Sequence, residues 1–129
     1  MKLAVIGSRT FNDYDLLVKT LKRFHIDEIV SGGAIGTDSL AEKYSRESLL
    51  KKPKIFLPLF KRNKNIAYSP KWFFERNKEI VDYSDMIIAF WDGKSKGTKH
   101  ALDYAKKQEK PFLIVDFTKN NLDIGDIFC

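Results

Sequence analysis

The chain has 129 residues, one cysteine and a formal net charge of +6, from 23 Lys and Arg against 17 Asp and Glu. This length is normal for one domain, and a single thiol, Cys129, excludes a disulfide framework. The longest apolar run, Met86–Trp91, is far shorter than the roughly 20 residues that cross a bilayer. The first residues carry no cleavage-site pattern of a signal peptide. We therefore expect one cytoplasmic domain over residues 1–129, without a membrane partner.

The positive charge favours an anionic partner, either nucleic acid or a phosphorylated small molecule. An ordinary explanation is solubility, because Lys51–Lys52 and Lys106–Lys107 lie at predicted helix ends, where cations suit the helix dipole. The charge alone leaves both interpretations open.

Short apolar segments alternate with helix-like segments along the chain. Strands are predicted over 3–6, 28–30, 54–59, 85–91 and 111–117, and helices over 13–24, about 36–50, 72–83 and 97–110. The first helix follows a period close to 3.6 residues, and Pro53 is expected to end the second. Residues 60–70 are predicted to be a polar loop, and no element is assigned after Thr118.

The predicted strands are nearly continuous apolar runs, which is typical of strands buried on both faces. Their alternation with helices favours a parallel sheet that is covered on both sides, and right-handed crossovers leave few topologies. We predict an α/β fold, a Rossmann-like three-layer sandwich with a five-stranded parallel sheet in the order 3-2-1-4-5.

Three loops carry the unusual residues: 7–9 after strand one, 31–38 after strand two and 92–98 after strand four. In the predicted order these strands are neighbours, and the winding direction switches between strands one and four, where ligands bind in open α/β sheets. The second and third loops lead into helices, whose first N–H groups attract phosphate. The guanidinium group of Arg9 can add two parallel hydrogen bonds to the same phosphate.

Each feature has a purely structural alternative. The glycines of the second loop are also explained by a tight turn without any ligand. Asp38 is also explained by capping its helix or by a favourable interaction with the helix dipole. The aromatic run 72–74 is more typical of a core than of a base-stacking platform, and Trp91 is open between the same two roles. His25 and His100 have no partner at ligand spacing, so we predict neither a metal site nor a cofactor.

The motifs together resemble a known superfamily. These are Gly7-Ser8-Arg9 with Phe11 and Asp13, Ser31-Gly32-Gly33-Ala34-x-Gly36-x-Asp38-x-x-Ala41, Arg76-Asn77, and Phe90-Trp91-Asp92-Gly93-x-Ser95-x-Gly97-Thr98. They resemble SLOG domains, the group that contains DNA-processing protein A and the lonely-guy phosphoribohydrolases, and in particular its YspA-like, cpYpsA-related branch. The resemblance runs from Lys2 to about Phe117.

The resemblance implies a Rossmann-like domain that binds a nucleotide or nucleotide-derived ligand, and it suggests a homo-oligomer. The implied ligand-binding residues are Gly7, Ser8, Arg9, Ser31, Gly32, Gly33, Gly36, Asp38, Asn77, Gly93, Ser95, Gly97 and Thr98. The phosphate would bind to the glycines and to Arg9 and Arg76, and ribose hydroxyls would bind to Asp38 or Asp92.

Two alternatives follow from the same resemblance. The lonely-guy enzymes cleave the N-glycosidic bond of nucleoside 5′-monophosphates with an arginine that Arg76 matches and a glutamate whose position is Ala101 here. An enzyme of this class would use Arg76 and Asp92 as its catalytic residues, but the missing glutamate argues against hydrolysis. DNA-processing protein A implies a single-stranded DNA-binding module instead, and we expect only weak, non-specific nucleic-acid binding from the net charge.

Overall fold

Strands and helices alternate along the part of the chain that the structure, a computed structural model, describes, namely residues 1–118 and 127–128. The strands are β1 (Lys2–Gly7), β2 (Glu28–Ser31), β3 (Lys54–Ile55), β4 (Met86–Trp91), β5 (Phe112–Asp116) and β6 (Ile127–Phe128). The helices are α1 (Tyr14–Leu21), α2 (Thr37–Glu47), α3 (Leu59–Arg62), α4 (Lys71–Tyr83) and α5 (Lys96–Lys107).

The sheet has the order β3-β2-β1-β4-β5-β6. The first five of these strands are parallel, so the predicted Rossmann-like α/β fold and its order 3-2-1-4-5 are confirmed. β6 pairs with β5 in the antiparallel sense and adds an edge strand that the prediction did not contain. Cys129 lies outside the described residues.

Alternate residues of the central strands form two cores on opposite faces of the sheet. Leu3 and Val5 of β1 pack in the cluster that includes Leu17 of α1 and Ala41 of α2. Their neighbours Ala4 and Ile6 belong to the cluster with Ile80 of α4 and Ala101 of α5. The result is the predicted three-layer arrangement, with α1 and α2 on one face and α4 and α5 on the other.

The region around β3 differs most from the prediction. The expected strand 54–59 ends at Ile55, and the expected loop begins with the single turn of α3. Pro58 has no N–H for a strand ladder, so the strand cannot run to residue 59, and Pro58 instead precedes the first turn of α3.

Three helices end earlier than predicted, and one of them, α5, ends at Lys107 instead of residue 110. α1 ends at Leu21 because the N–H groups of Arg23 and Phe24 turn back to carbonyls three residues earlier, at 3.3 and 3.1 Å. α2 ends at Glu47, and Leu50 adopts a left-handed backbone with φ 54°. Pro53 therefore does not end α2, because the chain has already turned. No helix among the described residues is both long and apolar enough to cross a membrane.

Candidate functional site

A crevice of about 230 Å³ opens at the carboxyl ends of the central strands. Its lining comes from the end of β1, from the loops after β1, β2 and β4, from α4 and from the first turns of α5. The lining residues are Ile6, Gly7, Arg9, Gly32, Ala34, Asp38, Pro70, Phe73, Phe74, Arg76, Asn77, Ile80, Ser95, Gly97, Thr98 and Ala101. The predicted residues Ser8, Ser31, Gly33, Gly36, Asp92 and Gly93 are not in this lining.

Ser8 holds the three loops together. Its carbonyl accepts the backbone N–H of Thr37 at 3.3 Å and the hydroxyl of Thr37 at 3.0 Å. Its own hydroxyl accepts the N–H of Asp92 at 3.2 Å. Ser8 is only 2% exposed, so it connects the second and third loops instead of facing a ligand.

Several predicted glycines serve close contacts within the chain. A Cβ on Gly36, whose φ is +75°, would lie 2.4 Å from the carbonyl oxygen of Arg9. A Cβ on Gly33 would lie 2.7 Å from the Leu57 side chain, towards β3 and not towards the crevice. Gly93 has a φ of +80° in an exposed turn. These positions demand glycine because of backbone conformation or packing.

A Cβ on Gly97 would meet nothing within 4 Å, as on Gly93, but Gly97 has no positive φ, so neither packing nor backbone conformation requires glycine there. It lies in the first turn of α5, and no side chain of the described residues caps that helix. The hydroxyls of Ser95 and Thr98 lie 3.3 Å apart beside it. The start of α5 therefore presents backbone N–H groups and two hydroxyls to the crevice.

Arg76 is 8% exposed and is anchored by the backbone. Its Nη1 donates to the carbonyl of Gly32 at 2.6 Å and to that of Phe56 at 3.3 Å. Its Nε donates to Oδ1 of Asn77 at 3.2 Å, and the Asn77 amide donates to the carbonyl of Gly97 at 3.2 Å. This network links the guanidinium group to the start of α5.

Asp38 supplies the one carboxylate among the described residues that line the crevice. It accepts the N–H of Ala34 at 3.1 Å and so closes the second loop on itself. A Cβ on Gly32 would lie 2.7 Å from Arg76 Nη1 and 3.0 Å from Asp38 Oδ2, so glycine leaves room for both charged groups. Asp38 therefore does more than favour the start of its helix.

The charges in the crevice perturb each other. Burial raises the pKa of Asp38 from 3.8 to about 6, although the Ala34 N–H and the Arg76 charge act against this rise. Burial also lowers the pKa of Arg76, which Asp38 raises and Arg9 lowers. Among the described residues Arg9 forms no ion pair. The crevice thus holds two cations and one carboxylate whose ionised form is disfavoured by burial.

Asp92 lies in the third loop and Ser31 at the end of β2, and the polar groups of both bond to nearby parts of the chain. The Asp92 carboxylate accepts the N–H groups of Lys94 at 2.8 Å and Ser95 at 2.9 Å, and these bonds lower its pKa. The Ser31 hydroxyl donates to Glu42 at 2.7 Å. Both residues fix loop shape, so the placement of Asp92 does not support the catalytic role or the ribose contact expected for it.

Two aromatic side chains of α4 form one wall of the crevice, and they were not predicted as part of the site. Phe73 and Phe74 of α4 line the crevice, and Phe74 lies over His100 with ring centroids 4.5 Å apart. The sequence could not separate this wall from a core, because aromatic side chains occur in both.

Trp91 packs beside the second core, where its Nε1 donates to the Ser95 carbonyl at 3.1 Å, and it does not line the crevice. Within residues 1–118 and 127–128, no cluster of three His, Cys, Asp or Glu could hold a metal ion.

Comparisons with known proteins give a structural neighbour and a short local match. The fold is similar to that of DNA processing protein A from Helicobacter pylori, with a TM-score of 0.70, 24% identity and coverage of 98% of this chain and 68% of that chain. The structure of that protein was described for its single-stranded DNA binding mode. This identity supports a shared fold alone.

The SPbeta prophage-derived protein YoqJ of Bacillus subtilis (strain 168) is 42% identical over 40 residues. That stretch is 31% of this chain but 23% of YoqJ, so the chain matches less than a quarter of its curated relative. No protein-family model matches the chain.

Proposed function

We propose that this chain is a SLOG-type domain whose crevice binds the phosphate-bearing part of a nucleotide or nucleotide-derived ligand. The observation that carries the proposal is the pair of arginines, Arg9 and Arg76, beside the uncapped start of α5. Two cations in a small crevice repel each other, and Asp38, the one carboxylate of the described lining, lies near Arg76 but forms no ion pair with Arg9. A phosphate is an anion of suitable size and geometry for guanidinium groups and helix N–H groups.

The phosphate would contact groups that the fold leaves available. Gly97 allows close approach to the backbone of α5 because its Cα faces open space. Ser95 and Thr98 supply hydroxyl donors, and Arg9 supplies a guanidinium group that no carboxylate of the described residues neutralises. Each charge-assisted hydrogen bond of this kind contributes about 1.5–3 kcal/mol.

The remaining lining suits the nucleoside. Phe74 is 38% exposed and is backed by His100, so its ring is available for stacking on a base. Asp38 and Asn77 supply oxygen and amide groups for ribose hydroxyls. The volume of about 230 Å³ is below the roughly 300–1,000 Å³ of common small-molecule sites, which favours one nucleotide unit over a dinucleotide.

Titration calorimetry with AMP and adenosine tests the proposal. The wild-type protein is expected to bind AMP more tightly than adenosine, and Arg9→Ala should weaken AMP binding by about 10- to 150-fold. Arg46→Ala is the matched control, since Arg46 is exposed in the last turn of α2. Equal loss in both variants, or equal affinity for AMP and adenosine, would contradict phosphate recognition in the crevice.

Binding of single-stranded DNA is the second candidate. It is favoured by the structural similarity to DNA processing protein A and by the net charge of +6. Both candidates place a nucleotide phosphate in the crevice. They differ in whether the phosphate belongs to a free molecule or to a strand that continues across the surface.

Hydrolysis of an N-glycosidic bond is the enzymatic alternative, and the lining argues against it. Ala101 faces the crevice without a carboxylate, and Asp38 is the only acid in the described lining. Loss of one electrostatic element of catalysis typically costs about a hundredfold to a thousandfold in rate. We expect no release of free base from AMP by chromatography. Release that disappears in Asp38→Asn but persists in Asp92→Asn would establish an enzyme instead.

A further inference from the structure

The positive charge of the chain is concentrated in one segment. Between Glu47 and Glu75 there is no Asp or Glu, and the intervening residues include Lys51, Lys52, Lys54, Lys61, Arg62, Lys64 and Lys71. Residues 59–71, which we call the basic arm, comprise α3, the loop to α4 and Lys71, the first residue of α4. The arm lies next to the crevice, because Pro70 at its end and the neighbouring Phe73 line that crevice.

The basic arm is built around an aromatic cluster. The ring of Phe60 lies 5.1 Å from that of Tyr68 and 5.6 Å from that of Phe73, in edge-to-face contacts. Trp72 fixes the loop by donating from Nε1 to the carbonyl of Ala67 at 3.1 Å. Tyr68 nevertheless remains 65% exposed. A large ring therefore stands on the surface with its position fixed by the cluster.

The cations of the arm are mostly without acidic partners. Arg62 pairs with Glu79 at 2.8 Å, but within the described part of the chain Lys61 and Lys64 form no ion pair and are exposed. Unpaired surface lysines and an exposed aromatic ring are the two elements that bind single-stranded nucleic acid, through phosphates and stacked bases.

We infer that the basic arm is the surface over which a single-stranded nucleic acid runs after one of its nucleotides has entered the crevice. The inference rests on the proposed phosphate site, since Phe73 joins the arm to that crevice. Lys61 and Lys64 would contact backbone phosphates, and Tyr68 would stack on a base outside the crevice. An acidic peptide or an anionic membrane could also contact the lysines, but neither carries bases that would stack on Tyr68.

Fluorescence anisotropy with a labelled short oligothymidylate, measured over a range of salt concentrations, tests this inference. The double variant Lys61→Ala, Lys64→Ala should bind more weakly, and the slope of log affinity against log salt should become shallower by about 1.4, or about 0.7 for each lost phosphate contact. The matched control is Lys106→Ala, Lys107→Ala, which removes the same charge from the exposed last turn of α5.

Stacking is tested separately with Tyr68→Leu, which keeps an apolar side chain in the cluster. We expect this variant to lose about 5- to 150-fold in affinity for oligothymidylate, but to bind an abasic oligonucleotide of equal length as the wild type does. Circular dichroism and thermal unfolding check that each variant is folded.

The outcomes separate this inference from the proposed function. Both stand if the lysine pair and Tyr68 affect the oligonucleotide but not AMP, while Arg9→Ala weakens both ligands. The inference is overturned if the arm and control variants lose equal affinity, if Arg9→Ala leaves oligonucleotide binding unchanged, or if phosphatidylserine vesicles bind and the oligonucleotide does not. Failure of wild-type protein to bind AMP would instead contradict the proposed function.

Discussion

Replacing Asp38 with asparagine should make the stability of the fold less sensitive to pH. In the folded chain Asp38 is 8% exposed and accepts the N–H of Ala34, and burial raises its pKa from 3.8 to about 6. The folded state therefore holds a proton that the unfolded state has already released. Such a group stabilises the fold at low pH, and this contribution is lost as pH rises through the interval from about 4 to about 6.

The size of the pH effect on stability follows from the shift in the pKa of Asp38. A change of one pKa unit corresponds to about 1.36 kcal/mol, so a rise from 3.8 to about 6 corresponds to roughly 3 kcal/mol between low pH and pH 8. About half of this loss occurs above pH 5. The asparagine side chain cannot ionise, but its carbonyl oxygen can still accept the N–H of Ala34, so the variant lacks this pH-dependent loss.

Urea unfolding at pH 5 and pH 8 measures the prediction. The wild-type protein should lose about 1–1.5 kcal/mol more than Asp38→Asn between these two values, while groups elsewhere contribute equally to both proteins. Parallel pH profiles for the two proteins would refute the burial argument. A profile in which the wild type gains stability relative to the variant would show that Arg76 dominates and that Asp38 is ionised in the fold.

Three further changes probe individual positions. Gly36→Ala should lower the free energy of unfolding by about 1–3 kcal/mol, because its Cβ would lie 2.4 Å from the Arg9 carbonyl at a φ of +75°; chemical denaturation measures this. Gly97→Ala should keep its stability, since its Cβ meets open space, yet weaken AMP binding in calorimetry by covering the backbone. Asp92→Asn should lower the melting temperature at pH 7, and its difference from the wild type should shrink as pH falls through the lowered pKa of Asp92, because the carboxylate then loses its charge.

The fold could be predicted because its signals are repeated along the chain. Apolar runs such as 86–91 identified buried strands, and their alternation with helices led to the parallel order that the structure confirms. The bounds near β3 could not be predicted, because the strand already ends at Ile55 and a one-turn helix follows Pro58. Leu50, just after α2, adopts a left-handed conformation that a leucine rarely adopts.

The location of the crevice could be predicted from topology, but the roles of its residues could not. Glycine has the same sequence signal whether it admits a ligand, as Gly97 could, or relieves a clash, as Gly36 does. The polar side chains of Ser8 and Asp92 were expected from the sequence to be free for a ligand, but they accept hydrogen bonds from backbone N–H groups of the third loop. Phe74 could not be assigned because exposure depends on how α4 packs against α5.

The most direct test of the phosphate site is an NMR titration of the ¹⁵N-labelled protein with AMP, with adenosine as the comparison. The proposed function predicts that AMP shifts the backbone amide signals of Gly32, Gly97 and Thr98 and the side-chain signal of Arg9. Adenosine, which has no phosphate, should shift the signals of Gly97, Thr98 and Arg9 far less. Shifts confined to residues outside the crevice lining, or the same shifts with adenosine as with AMP, would contradict a phosphate site at the start of α5.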